Sequence, residues 1–269
     1  GMMEQALEGR QMESDLAQAL KCEEFELDYQ PIFRLSDRSI LGFEALIRWR
    51  QPDGTLGPPG RFIPLAEETG LILQIGEWVV REACRSAREW PEHLSVSVNV
   101  SAKQFSTPGL TTTILQALTQ SGLRPNRLEL EITESIFIAD VEKTLSTLHK
   151  LRDLGVRIAL DDFGTGYSSL SYLRSFPFDK VKIDQSFVRD LNVEGNNAHA
   201  VIRAITTLAS ALGMRTLAEG VEYAEQREIL RREGCEYIQG FLLSRPVPAS
   251  DVAALINCRD VGGLIRAVG

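Results

Sequence analysis

The chain has 269 residues, 43% hydrophobic and 25% charged, proportions that suit a globular protein and exclude a disordered or fibrous one. Lys and Arg total 29 against 37 Asp and Glu, a formal charge of −8 that argues against wrapping nucleic acid or docking on an anionic membrane. The length matches one (β/α)8 barrel or two smaller domains.

Gly1 ahead of Met2 reads as a tag remnant, and residues 2–12 are polar, without a clear apolar period. Residues 1–13 are therefore expected to be a tag remnant and a linker from a possible upstream domain, with 14–269 forming one domain. From Ser14 the run SDLAQALKC predicts a short helix capped by that serine. FELDYQPIF (25–33) and SILGFEALIRW (39–49) predict two strands joined by a short turn, a hairpin-like pair. After the breaker-rich loop 51–60, FIPLAEETG and LILQIGEWVVREACRSAREW (62–90) predict helix, ending before Pro91. Strands are then predicted at 94–100, 127–133, 156–162, 179–184, 214–219 and 236–240, and helices at 110–121, 140–154, 196–212 and 223–233. Alternating strands and helices argue for a parallel sheet with helical cover. Eight strands favour closure into a barrel, and the opening hairpin sets one strand against the others.

Cys22, Cys84, Cys235 and Cys258 form no CxxC pair, which points away from zinc ribbons and dithiol redox sites. They read as small apolar core residues in a reducing compartment. No signal peptide or apolar run of spanning length occurs, so a cytoplasmic setting is expected, with room for a membrane anchor elsewhere in a longer protein.

The predicted strands end in chemically useful residues: Asn99, Glu131, Asp161 with Asp162, Lys182, Glu219 and Gln239. In a barrel, C-terminal strand ends converge on one rim, where active sites sit. Period two puts Ser95, Ser97 and Asn99 opposite Val96, Val98 and Val100, and puts Glu44, Leu46 and Arg48 on one face. A single acidic residue after a strand is usually a helix cap or a turn former, and Lys182 alone reads as a solvated flank. Six such strand ends together read as a site of oxygen ligands, the type Mg2+ or Mn2+ prefers. Glu44, Glu131, Asp161, Asp162 and Glu219 against Arg48 and Lys182 leave a formal −3, which two divalent ions turn to +1. Such a rim accepts one phosphodiester and suits in-line displacement at phosphorus. His93, His149 and His199 fall at no strand C-terminus, which weakens histidine-based chemistry.

EALIRW (44–49) stands with YQPIF (29–33), FIPLAEETGLI (62–72), NVSAKQF (99–105), LEITES (130–135), DDFGTGYSSL (161–170), KVKIDQSFV (180–188), AEGVE (218–222) and QGFLLSRP (239–246). In this order and spacing the chain resembles the EAL domain of bacterial cyclic-di-GMP phosphodiesterases across residues 14–257. Ile132 and Phe241 are minor departures, and no GGDEF signature occurs. The resemblance implies a TIM-like barrel with an antiparallel first strand. It also implies hydrolysis of cyclic-di-GMP to linear pGpG with two Mg2+ or Mn2+ ions, Ca2+ being inhibitory. Glu44, Asn99, Glu131 and Asp161 would ligate the first ion. Asp162 would join a shared Asp161 on the second, and Glu219 and Gln239 would hold ligand waters or the cluster from the far side. Lys182 would help activate the attacking water, with Glu44 and Glu219 beside it in the catalytic set. Gln30, Arg48, the Leu46 backbone and Glu222 would hold substrate, and Glu134 would anchor the loop 162–169. Implied partners are a second copy of the chain and an upstream sensory or GGDEF domain. A receptor that binds the dinucleotide without cutting it is the competing reading; degenerate relatives of that kind lose a metal ligand or the lysine, and all are retained here.

Overall fold

The structure is a computed structural model that describes residues 2–51, 54–138, 140–164, 173, 175–193 and 195–257, with only the backbone described for 2–10. Its strands are β1 (Phe25–Arg34), β2 (Ile40–Arg50), β3 (Leu56–Gly57), β4 (Ser95–Asn99), β5 (Leu128–Thr133), β6 (Arg157–Phe163), β7 (Lys180–Ile183), β8 (Arg215–Ala218), β9 (Tyr237–Ile238) and β10 (Val247–Pro248). Eight of them close a barrel in the order β1, β2, β4, β5, β6, β7, β8, β9 and back to β1. Every neighbouring pair in the ring is parallel except the two made by β1, which runs antiparallel to both β2 and β9. The chain is thus a (β/α)8 TIM-like barrel with an antiparallel first strand, as its sequence predicts.

The helices follow the predicted order, with differences at the first helix, at the start of the second and in three additional helices. The first helix runs over Met2–Lys21 and takes in the segment read as linker. The two expected helical segments within 62–90 are Pro59–Thr69, which starts three residues early, and Ile72–Arg88. They divide at Gly70, whose φ of 85° gives the left-handed cap that glycine adopts without a Cβ clash. The start at Pro59 reflects proline at the first helical position, where its missing N–H is not needed. Ala102–Ser106, Gln185–Asp190 and Ala249–Asn257 are helices that the periodicity did not predict; the first two span too few residues to show a 3.6-residue repeat. Among the described residues no helix is long and apolar enough to cross a membrane. Cys84 and Cys235 are buried as expected, whereas Cys22 is exposed past the end of the first helix, and Cys258 lies outside the described residues.

The main core lies between the barrel wall and its helices, where outward-facing Val96, Val98, Leu130, Ile158 and Val181 are almost fully buried. The hairpin β1–β2 is held by a cluster in which Phe25 stacks near Trp49, Phe62 and Trp78 at ring separations of 6.3, 5.9 and 5.9 Å. The barrel interior is polar where such barrels normally hold branched aliphatics. One inward layer carries Glu44, Glu131, Asp161, Lys182 and Gln239. One step further down, on β4, β5 and β7, Ser97, Glu129 and Lys180 form a buried group: Lys180 pairs with Glu129, and the Ser97 hydroxyl donates to the same carboxylate at 3.0 Å.

Candidate active site

Parallel register brings the strand ends to one height: Ala45 pairs with Val98, Asn99 with Glu131, Thr133 with Asp161, and Lys182 with Leu217. Lys182 is 1% exposed and sits at the centre. Its ammonium bonds the Glu131 carboxylate and lies 3.2 Å from Asp161 Oδ2, 2.8 Å from Glu219 Oε1 and 3.8 Å from Glu44 Oε1. It is therefore no solvated flank. The Asn99 and Gln239 side-chain amides each donate to Glu44 at 2.8 Å, and Gln239 also donates to Gln30 at 3.1 Å. Six residues from six strands thus share one bonded network, with Glu219 and Gln239 joining just beyond β8 and β9.

Asp162 reaches this network by breaking the strand rule. Successive side chains on a strand point to opposite faces, so Asp161 and Asp162 could not both face the rim in regular β-structure. The pairing of β6 with β7 shifts register between Leu160 and Phe163, and Asp162 takes a φ of 54° with its N–H donating to Asp161 Oδ1 at 2.9 Å. A bulge of this kind re-aims a side chain, and the left-handed conformation of a non-glycine residue costs roughly 1–3 kcal/mol. One carboxylate oxygen from each of Asp161, Asp162 and Glu219 lies within 4.8 Å of the others, close enough to share a cation.

The electrostatics are those of a site with too many acids for its single lysine. Burial, then the charges of Glu44 and Asp161, push the Glu131 carboxyl well above the usual carboxylate range. Burial and the same two neighbours raise Glu219 to about 7 despite Lys182. Burial also works against ionisation of Glu44, but Lys182 and the amides of Gln239 and Asn99 outweigh it and hold Glu44 below its ordinary value. Burial opposes charge on Lys182 too, yet the surrounding carboxylates hold its ammonium well above the ordinary lysine value. Asp162 is raised by partial burial and by Asp161 and Asp184.

Glu131 Oε1 and Gln239 Oε1 are buried acceptors with no hydrogen-bond partner among the described residues. Buried oxygens in native proteins are nearly always satisfied. Two orphaned oxygens, beside carboxylates whose ionisation burial opposes, fit a site built to take hard divalent cations. The acidic cluster could hold a metal.

The remaining sequence-selected residues divide in two. Arg48 is at the rim, its Nε donating to Asp28 Oδ2 at 2.8 Å and Nη1 to the Ile47 carbonyl at 3.0 Å. Gln30 donates to the Ser244 carbonyl at 3.3 Å. Together with Glu44, Leu46, Glu222 and Phe241 it lines a cavity of about 260 Å3. Glu222 itself is exposed, and Glu134 is half-buried in a 3-10 turn that follows β5. Residues 165–169 of the loop assigned to Glu134 lie outside the described residues. The QG and EGV segments interlock: Val221 donates to the Gln239 carbonyl and Leu242 to the Val221 carbonyl. A Cβ at Gly240 would lie 2.2 Å from that carbonyl oxygen, so only glycine fits. All three histidines are exposed and away from the rim. The sequence reading passed over Asp28 and the Glu129–Lys180 pair, although period two puts Asp28 on the face of Gln30, and Glu129 and Lys180 on the faces of Glu131 and Lys182.

The EAL domain family profile matches residues 13–246. The chain belongs to the EAL domain family. The bifunctional diguanylate cyclase/cyclic di-GMP phosphodiesterase MucR of Pseudomonas aeruginosa is 44% identical over 255 residues, covering 93% of this EAL chain and 37% of MucR. An uncharacterized signaling protein of Caulobacter vibrioides is 45% identical over 257 residues, covering 96% of this chain and 32% of that protein. This EAL domain thus spans about a third of the length of the curated relatives it matches. Among solved structures, the MucR phosphodiesterase in complex with c-di-GMP aligns with a TM-score of 0.86 at 44% identity, covering 90% of this chain and 99% of that one. The FimX EAL domain of Xanthomonas citri, also in complex with c-diGMP, aligns at 0.82 with 26% identity, covering 91% and 97%.

Proposed function

We propose that this EAL domain hydrolyses one phosphodiester bond of cyclic-di-GMP, releasing linear pGpG, with two Mg2+ or Mn2+ ions. The observation that carries the reading is the rim itself: a buried lysine ringed by four carboxylates, with two orphaned oxygens beside it. The c-di-GMP complex of MucR, 44% identical, supports the substrate. Leu46 separates two openings, the 260 Å3 cavity and a more apolar one of about 530 Å3 lined by Pro59, Ile63, Ile75 and Val79, room for a two-base ligand astride the rim.

Glu44, Asn99, Glu131 and Asp161 would hold one ion, and Asp162 with a shared Asp161 the other. Glu219 and Gln239 would complete the cluster. When bound, the ions supply an acidified water and neutralise charge that develops on the phosphate oxygens. Lys182 donates a hydrogen bond that orients the attacking water, and its burial keeps the ammonium from turning away. Glu219 is a carboxylate within reach of that lysine and able to take up a proton near neutral pH. Arg48, Gln30, the Leu46 backbone and Glu222 hold the substrate, and Glu134 anchors the following loop.

The proposed setting is the cytoplasm, with a sensory or GGDEF domain preceding a module that spans 14–269, and residues 1–13 serving as tag remnant and linker. Homodimerisation is part of the proposal; Ile138, 85% exposed after the Glu134 turn, is an apolar side chain available for it. Incubation with cyclic-di-GMP and Mg2+ or Mn2+, with products separated by chromatography, tests the chemistry. Linear pGpG is the expected product. Binding without product would replace the enzyme by a receptor.

A further inference from the structure

The guanidinium of Arg48 is already half engaged. Nε donates to Asp28 Oδ2 at 2.8 Å and Nη1 to the Ile47 carbonyl at 3.0 Å, and both Arg48 and Asp28 side chains are 17% exposed. Asp28 lies opposite Leu46 in the β1–β2 ladder, with Glu26 opposite Arg48 and Gln30 opposite Glu44. It therefore stands between the arginine and the carboxylate rim on the strand face they share. The strands beneath are fixed by the Phe25–Trp49 contact and by the Trp49 indole, which donates to Glu24 at 3.1 Å.

An arginine has five N–H donors in a planar fork. Spending Nε–H on Asp28 and one Nη1–H on Ile47 fixes the plane at two points. Among the described residues three donors remain, one on Nη1 and two on Nη2, enough for a guanidinium to meet two oxygens of a phosphate. A free arginine loses rotamer entropy on clamping an anion, whereas a pre-held one has already lost it.

We propose that Asp28 is a positioning residue: it holds Arg48 through Nε with the outer fork free for a phosphate oxygen pair of the substrate. The proposal rests on Arg48 being a substrate holder, as in the reading above. It makes the arginine–carboxylate pair, and not the arginine alone, the binding unit for the phosphodiester.

The test compares Arg48→Ala, Asp28→Ala, Asp28→Asn and the double variant D28A/R48A by steady-state hydrolysis of cyclic-di-GMP with Mn2+. D28A is expected to raise KM about tenfold, the scale of one charge-assisted hydrogen bond, with kcat within about threefold of wild type. D28N keeps an acceptor oxygen and is expected within about threefold of wild type in both constants. In the R48A background, D28A is expected to add nothing, because the two act as one unit. Wild-type KM in R48A would overturn the role of Arg48. A raised KM in R48A with an unchanged or lowered KM in D28A would overturn the role of Asp28 alone. So would D28N failing as badly as D28A, or D28A adding its full effect to R48A. Should D28A fold poorly, Asp28→Ser, also too short to reach Nε, takes its place.

Discussion

Replacing Lys182 by Met removes the one ammonium that bonds the rim carboxylates and nearly preserves side-chain volume. The structure sets two scales for the result. Lys182 is 1% exposed and within 3.8 Å of Glu44, Glu131, Asp161 and Glu219, so its loss leaves buried acids facing one another with no counter-charge in the metal-free protein. Breaking a buried pair on one side typically costs about 3–5 kcal/mol. At about 2–4 °C per kcal/mol for a domain of this size, the metal-free melting temperature should fall by roughly 6–20 °C. Mn2+ supplies the missing positive charge, so the metal-induced rise in melting temperature should be larger in Lys182→Met than in wild type. The catalytic scale is separate. A group that orients the attacking water acts mainly in the transition state, so kcat should fall at least about 10²-fold with KM within a few-fold. Differential scanning fluorimetry with and without Mn2+, beside a chromatographic product assay and titration calorimetry, measures both. Metal-free melting equal to wild type would refute the electrostatic reasoning. Turnover within tenfold of wild type would return Lys182 to a structural role, and lost binding would make it a substrate clamp.

Excess EDTA should abolish turnover and weaken cyclic-di-GMP binding, because the bare rim repels a phosphodiester, and Ca2+ should support binding but not turnover since its looser shell acidifies water less; full activity in EDTA by product assay would sink the metal mechanism. Glu219 has its pKa raised to about 7 in the folded, metal-free protein from an ordinary 4.5, so between these values the native state binds more protons than the unfolded state and its stability contribution falls as pH rises through that window. Mn2+ must displace that proton, so its affinity should weaken as pH drops below about 7, and calorimetry in buffers of different ionisation enthalpy should count proton release; a pH-independent affinity from 5.5 to 7.5, taken as roughly the window of that titration, would contradict it. Glu134→Ala should cut turnover sharply while leaving the melting temperature within about 3 °C, since the change lies at the rim and not in the core; wild-type kinetics would show that the following loop needs no such anchor. Light scattering at assay concentration should show a dimer that Ile138→Asp dissociates, and a wild-type monomer at that concentration would remove homodimerisation from the proposal.

The barrel was legible because its signals are redundant. SVSVN, LELE and KVKI alternate polar and apolar residues, most strands are followed by helix or breaker, and the boundaries agree with the structure to within one or two residues. The register that sets Asn99 beside Glu131 and Thr133 beside Asp161 follows from strands of similar length ending at similar points. Less legible were features that depend on one residue's backbone. Period two alone places Asp162 on the outer face, and only the bulge with its 54° φ brings it round to Asp161 and Glu219. The doublet DD gave a hint of a shared cation without saying how adjacent residues could reach it.

The polar floor of the barrel was hidden for a different reason. Glu129 and Lys180 lie 51 positions apart, and each by itself reads as a solvated charge on a strand. Their pairing depends on β6 standing between β5 and β7 with only Ala159 inward at that height, which leaves room for two long side chains to meet beneath the acidic rim. Lys180 also lies 5.9 Å from the Tyr237 ring, a second weak partner for the same charge. The consequence is electrostatic. Glu129 is among the charges that raise Glu131, and the ammonium of Lys180 holds Glu129 ionised against its burial. Glu129 is thus a negative neighbour beneath Glu131 whose charge Lys180 offsets, so the floor shifts Glu131 without adding net charge to the rim. Period two run downward from Glu131 and Lys182 reaches Glu129 and Lys180 in one step. The same rule that finds the rim therefore finds its floor, once inward-facing positions are followed past the strand end.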